Sequence, residues 1–84
     1  MVLIGFNNLI KKENKMFYFY LNKNAQPSGE HEIHKDKCSY LPHPFNREYL
    51  GYLSNFSQAK EVAKKLGYKN VDGCAHCCPE GHHK

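Results

Sequence analysis

The 84-residue sequence contains no tryptophan and no apolar stretch near the roughly 20 residues that a membrane helix requires. Its first residues lack the features of a secretory signal, because the apolar run ends at Asn7 and Asn8 and no small-residue cleavage site follows. These absences predict no membrane partner and a soluble, cytoplasmic protein, in a compartment that keeps thiols reduced. No glycine-rich phosphate loop and no nucleophilic-serine context is present either, so no catalytic residue is assigned and a non-enzymatic role is expected.

The composition nevertheless favours a folded chain. Hydrophobic residues make up 40% of the sequence, with six tyrosines and five phenylalanines, which is too many for a disordered segment. A chain this short forms one domain with a small core, because folding removes only about 60% of its surface from water. The formal charge of +4 permits a nucleic-acid partner, although solvated lysines or a protein partner explain it equally. The candidate nucleic-acid contacts are Lys35, Lys37, Arg47, Lys60, Lys64 and Lys65, with Tyr40 or Tyr52 available to stack on bases.

Sequence patterns predict a small α+β domain of antiparallel strands packed with one main helix. Runs of β-forming residues indicate strands at 17–21, 30–34 and 47–53, and the last is expected to contribute Tyr49, Leu50, Tyr52 and Leu53 to the core. Helical spacing predicts a helix over residues 55–66, with Asn55 and Gln58 at its start and Gly67 at its end. Residues 1–15 are expected to be a peripheral extension and residues 16–84 the zinc-binding domain.

Cysteine and histidine spacing predicts a metal site. His34 and Cys38 form one short-spaced pair, Cys74 and Cys77 form a second, and a long folded segment separates them. Tetrahedral Zn²⁺ sites commonly use two such pairs, because each pair brings two donors to one side of a single turn. Three thiolates and one imidazole would leave no open coordination position, which is typical of a structural zinc.

Several alternatives stay open at this stage. The C-x2-C pair also occurs in redox proteins, and buried cysteines can simply fill a core. His31 competes with His34 as the fourth ligand, and the extra thiol of Cys78 can pack, replace Cys77, or bind a second ion with His82 or His83. His43 is expected to be a surface residue. His76 is expected to point outward, with donation to a sulfur or contact with a partner as its functional alternatives.

The pattern resembles the metal-binding domain of the Ada DNA-repair methyltransferase family over about residues 31–79. The matching pieces are "HKDKC", "REYLGYLSNFSQAKEVAKKLGYKNVDGCAHC" and the Pro79 that follows. The chain is also similar to short stand-alone bacterial proteins with an "HEIHKDKC" type of opening and a "DGCAHCCPE" type of ending. The Ada resemblance implies a zinc-binding fold whose first ligand position accepts a methyl group from DNA, and His34 occupies that position here.

Three functions are compatible with the sequence. The first is a non-enzymatic module with a structural Cys3His zinc site, which contacts nucleic acid or another protein. The second is a zinc-activated thiolate, Cys38 or Cys77, that accepts methyl or alkyl groups. The third is a metal-handling protein that loads zinc or copper at the "CCPEGHHK" tail.

Overall fold

The computed structural model describes residues 15–83 and confirms the prediction of a small α+β domain. One four-stranded sheet is covered by one helix. Its elements are β1 (Phe17–Asn22), β2 (His31–Lys35), β3 (Arg47–Leu53), α1 (Phe56–Lys65) and β4 (Val71–Gly73), with short 3-10 turns at Pro44–Asn46 and Pro79–Gly81.

The sheet is mixed rather than wholly antiparallel. Its strand order is β3-β1-β2-β4, and β1 pairs antiparallel with both β2 and β3 as expected. The edge strand β4 pairs parallel with β2, and the sequence analysis did not predict it. Three residues are too few to show the alternation by which a strand is recognised.

Helix α1 packs on one side of the sheet through Phe56, Ala59 and Ala63. The facing side chains include Phe19 and Leu21 of β1, both fully buried. The predicted helix start is confirmed, because the Asn55 side chain accepts a hydrogen bond from the Gln58 amide at 3.0 Å. The helix is followed by Gly67 at a φ of 104°, a conformation that glycine adopts without strain.

A β-bulge in β3 separates its aliphatic and aromatic side chains. Phe19 pairs with Gly51 and Tyr20 with Tyr49, so Leu50 is an extra residue, and Gly51 has a φ of 140°. Leu50 is buried in the core, whereas Tyr49 and Tyr52 are about half exposed. The expectation that both tyrosines belong to the core was therefore wrong, because the bulge shifts the alternation of the strand.

The proposed N-terminal extension, residues 1–15, lies outside the described residues except for Lys15. Its boundary with the domain stays a prediction. Between residues 15 and 83, no helix has the length and apolar character needed to cross a membrane.

Candidate metal centre

The parallel pairing of β2 and β4 brings the two predicted ligand pairs together. His34 lies within β2. Cys38 follows in a turn, in which its own backbone amide donates to the Lys35 carbonyl at 3.1 Å. Cys74 comes directly after β4 and continues the pairing, since its amide donates to the Ile33 carbonyl at 3.0 Å. Two stretches of chain that are far apart in sequence thus end side by side.

The four side chains form a group with the dimensions of a tetrahedral site. His34, Cys38, Cys74 and Cys77 each offer one ligand atom, and these atoms all lie within 4.8 Å of one another. The sulfurs of Cys38 and Cys74 are 3.8 Å apart. Around a zinc ion with Zn–S bonds of about 2.3 Å, the edge of a tetrahedron is about 3.8 Å. All four cysteines are free thiols.

Backbone amides are directed at each of the three sulfurs. The amide of Lys35 donates to Cys77 Sγ at 3.2 Å, that of Tyr40 to Cys38 Sγ at 3.4 Å, and that of His76 to Cys74 Sγ at 3.4 Å. Hydrogen bonds to an ionised acceptor are about twice as strong as those between neutral groups. The loops are therefore arranged to stabilise thiolates, the form of cysteine that binds metals.

The histidine has one ring nitrogen engaged and the other unpartnered. His34 is almost fully buried, and its Nε2 lies 3.3 Å from Oε1 of Glu32. Its Nδ1 is buried and has no hydrogen-bond partner. A buried nitrogen without a partner is costly unless something binds it. Nδ1 is therefore the nitrogen available to a metal, while Nε2 faces a carboxylate, as in many metal-bound histidines.

Burial keeps the ligand groups neutral when no cation is bound. It raises the pKa of Cys38, and it is the main cause that raises the pKa of Cys74 to about 11. The pKa of Cys77 is raised chiefly by its contact with Cys78 and further by burial. Burial lowers the pKa of His34, so the imidazole is neutral and able to donate its lone pair. A bound divalent cation would lower the pKa of the thiols instead, because it holds them as thiolates.

The other histidines lie outside this group. His31 packs against Tyr68, with ring centroids 4.9 Å apart, and its Nδ1 lies 2.9 Å from the Asn22 carbonyl. His43 accepts a hydrogen bond from the Phe45 amide at the start of a 3-10 turn. His76 stacks its ring on Tyr40 at 4.3 Å, while its amide serves Cys74.

Cys78 packs in the hydrophobic core. It is fully buried, and its sulfur lies 3.7 Å from that of Cys77. Among the described residues, the group able to hold a metal includes Cys77 and not Cys78. Packing thus accounts for this extra thiol.

The end of the chain is tied to β4 through a buried carboxylate. Asp72 is fully buried, and its Oδ1 accepts a hydrogen bond from the His83 amide at 2.7 Å. His82 Nδ1 lies 3.3 Å from Asp72 Oδ2 and 3.0 Å from the Gly73 carbonyl. The tail is folded against the domain, and the described residues provide no second metal-binding group there.

The candidate nucleic-acid contacts are split between two sides of the molecule. Lys35 and Lys37 line a cavity of about 640 Å³ beside Cys38 and Cys77. Arg47 lies on β3, with its guanidinium 4.8 Å from the Tyr20 ring centroid. Lys60, Lys64 and Lys65 lie on α1, which covers the side of the sheet opposite Arg47 and Tyr20.

Sequence analysis missed three contributors to this region. Glu32 could have been found, because residues two apart on a strand share one side of it, and Glu32 and His34 are so spaced. The outward position of Tyr49 required knowledge of the bulge, whereas Tyr52 was already a candidate stacking ring. To predict the contribution of Asp72, β4 had to be recognised, because the pairing of β4 with β2 places Asp72 beside Glu32.

Fold and site together define a small α+β domain with a Cys3His group able to hold a metal ion. Comparisons with family models, with curated proteins and with solved structures found no match. The Ada resemblance therefore depends on the motif residues alone and stays a prediction.

Proposed function

We propose that the protein is a non-enzymatic binding module whose fold is held together by one structural zinc ion. The observation that carries this proposal is the convergence of four donor atoms within 4.8 Å from His34, Cys38, Cys74 and Cys77. The resident ion would be held by three thiolates and His34 Nδ1.

Zinc fits this donor set better than harder cations. Thiolate and imidazole ligands disfavour Mg²⁺ and Ca²⁺, which bind through oxygen. Four protein donors complete a tetrahedral shell and leave no position for a substrate or an activated water. A structural role follows from that closed shell.

The metal would supply stability where the fold has little of its own. The strand β4 pairs with β2 over only three residue pairs, yet it carries Cys74 and the whole C-terminal segment. An ion that joins Cys38 to Cys74 and Cys77 would hold this edge of the sheet closed. Binding free energies of structural zinc are about 10–16 kcal/mol in small domains, which is comparable to the total stability of a protein.

The formal charge of +4 permits nucleic acid as the partner class, and the reduced cytoplasm is the compartment in which such a site would persist. The thiolate methyl-acceptor function stays a prediction, as does metal handling by the tail. For metal handling, residues 15–83 contain no second ligand group at the tail.

Native mass spectrometry of the purified protein tests the zinc proposal. We expect one ion per chain, slow exchange, and loss of the thermal unfolding transition after treatment with a strong chelator. The variant Cys38→Ser should bind no ion, whereas Ser39→Ala, at the exposed neighbouring position, should bind one. A wild-type protein that melts at the same temperature with and without chelator would contradict the structural role.

A further inference from the structure

Four tyrosines form a continuous aromatic surface on the side of the sheet opposite α1. In spatial order they are Tyr20, Tyr49, Tyr18 and Tyr52, here called the tyrosine row, with successive ring centroids 5.4, 6.5 and 4.6 Å apart. The exposed fractions are 46% for Tyr18, 52% for Tyr49 and 51% for Tyr52. The bulge at Gly51 creates the row, because it places Tyr49 and Tyr52 beside Tyr20 and Tyr18.

Positive charges lie at both ends of the tyrosine row. At one end, the guanidinium of Arg47 lies over the Tyr20 ring. At the other end, Tyr18 and Tyr52 line the 640 Å³ cavity together with Lys15, Lys35 and Lys37. The ammonium groups of Lys15 and Lys35 lie 5.7 and 4.1 Å from the Phe17 ring centroid. Because Lys35 pairs with Phe19, it reaches the cavity from the side of the sheet that α1 covers. Asp36 is the one carboxylate among the described lining residues.

We propose that the tyrosine row binds single-stranded nucleic acid. Bases would stack on the exposed tyrosine rings, and phosphates would lie against the lysines of the cavity and against Arg47. This inference rests on the proposed function, because Lys35 and Lys37 lie in the segment between His34 and Cys38 that the metal would hold in place.

Charge and surface type favour this occupant over a protein. A second copy of the chain, docked on the same face, would bring the cavity lysines and Arg47 of both copies together, which is unfavourable. The face is built from flat rings bordered by cations, the combination by which proteins hold single strands with little sequence preference. Its three half-exposed rings and the partly buried ring of Tyr20 can accommodate about two or three bases, as the aromatic sheet surfaces of RNA-binding modules do.

The geometry also separates single strands from duplexes. Stacking on a tyrosine ring requires a base with a free face, which a paired and stacked duplex does not present along its length. The lysines of α1 lie on the other side of the sheet, so Lys60, Lys64 and Lys65 are excluded from this surface. Variants of these three lysines therefore serve as controls for non-specific electrostatic attraction.

The test uses the full-length protein loaded with one zinc ion. Fluorescence anisotropy would measure binding to labelled oligothymidylate and oligouridylate of about 12 nucleotides and to a duplex of equal length. We expect binding to either single strand, at least about 10-fold weaker binding to the duplex, and affinity that falls steeply with salt. The chain has no tryptophan, so quenching of tyrosine emission on binding gives a second readout.

Matched variants locate the site. Tyr52→Leu should weaken single-strand binding about 10-fold, whereas Tyr52→Phe should retain it, because phenylalanine preserves the stacking ring. Lys37→Gln should reduce the slope of log affinity against log salt concentration by the amount expected for about one phosphate contact. Lys64→Gln on α1 should leave that slope unchanged. Each variant is first shown to retain one ion and the wild-type circular dichroism spectrum.

Three results would overturn the inference for protein that does bind zinc. They are no single-strand binding at about 50 mM salt, equal or tighter duplex binding, and a loss of affinity in Lys64→Gln that matches the loss in Lys37→Gln. A dimer in sedimentation experiments that Tyr52→Leu dissolves would assign the face to a second copy instead. Failure to bind zinc is measured separately by native mass spectrometry and would contradict the proposed function itself.

Discussion

Glu32 Oε1 lies 3.3 Å from His34 Nε2 while His34 Nδ1 remains buried without a partner. The carboxylate therefore fixes the orientation of the ring, and it also determines which nitrogen faces a metal. Desolvation raises the pKa of Glu32, and the neighbouring carboxylate of Asp72 raises it further. A hydrogen bond from the Nε2–H group of the neutral His34 ring would therefore stabilise the ionised form of Glu32. The arrangement makes Glu32 a positioning residue of the metal centre.

We expect Glu32→Gln to lower zinc affinity by about 10- to 100-fold, the usual effect of losing a carboxylate behind a histidine ligand. Competition with a chromophoric chelator measures this change. Glu61→Gln, an exposed carboxylate of α1, is the matched control and should leave the affinity unchanged. Equal affinities for the two variants would show that the contact with His34 does not serve the metal.

Zinc binding should release protons, and the burial of the site determines how many. The pKa of Cys74 is about 11 without metal and those of Cys38 and Cys77 are raised, so all three thiols carry protons at pH 7. The pKa of His34 is lowered, so its ring contributes none. About three protons should therefore leave per ion, and the apparent association constant should fall by about 1000-fold for each unit that the pH drops near neutrality.

Calorimetric titration in buffers with different ionisation enthalpies counts these protons directly. The stability contributed by the metal should consequently be present at neutral and higher pH and be lost as the pH falls. Release of about one proton would indicate that the thiols are ionised before the ion arrives, in conflict with their buried positions.

The sequence predicted the separate parts of this domain better than their arrangement. Strands β1, β2 and β3 and helix α1 were recognisable because their periodicity and capping residues are local signals. The ligand set was recognisable for the same reason, since both pairs are short-spaced. The parallel contact between Ile33 and Gly73 was not, because it joins residues 40 positions apart through a strand of only three residues. That contact is what places Cys74 beside His34.

Gly73 makes this placement possible through a close approach of two backbone segments. A Cβ at this position would lie 2.5 Å from the Cys78 carbonyl oxygen and 2.9 Å from the Gly81 carbonyl carbon. We expect Gly73→Ala to push the C-terminal segment away from β4, to cost about 1–3 kcal/mol of stability, and to weaken zinc binding. Thermal unfolding and chelator competition measure the two effects.

Gly29→Ala is the control for Gly73→Ala. Gly29 has a φ of 100° with no atom within 4 Å of a built Cβ, so alanine there adds backbone strain of about 1 kcal/mol without a collision. It should retain the zinc affinity of the wild type. An equal loss of affinity in both variants would mean that general destabilisation, rather than displacement of Cys74 and Cys77, governs metal binding.

Substitution of the neighbouring residues Cys77 and Cys78 by alanine should have different effects on metal binding. Cys77 Sγ accepts a hydrogen bond from the Lys35 amide and belongs to the ligand group, whereas Cys78 is fully buried in the core. Cys77→Ala should abolish binding of the ion, because bringing the Cys78 sulfur into its place would require removing it from the core. Cys78→Ala should bind one ion and lose about 1 kcal/mol of stability from the vacated space. Native mass spectrometry separates the two outcomes. An ion retained by Cys77→Ala would show that Cys78 can act as the ligand. The core around Cys78 would then rearrange more readily than its packing indicates.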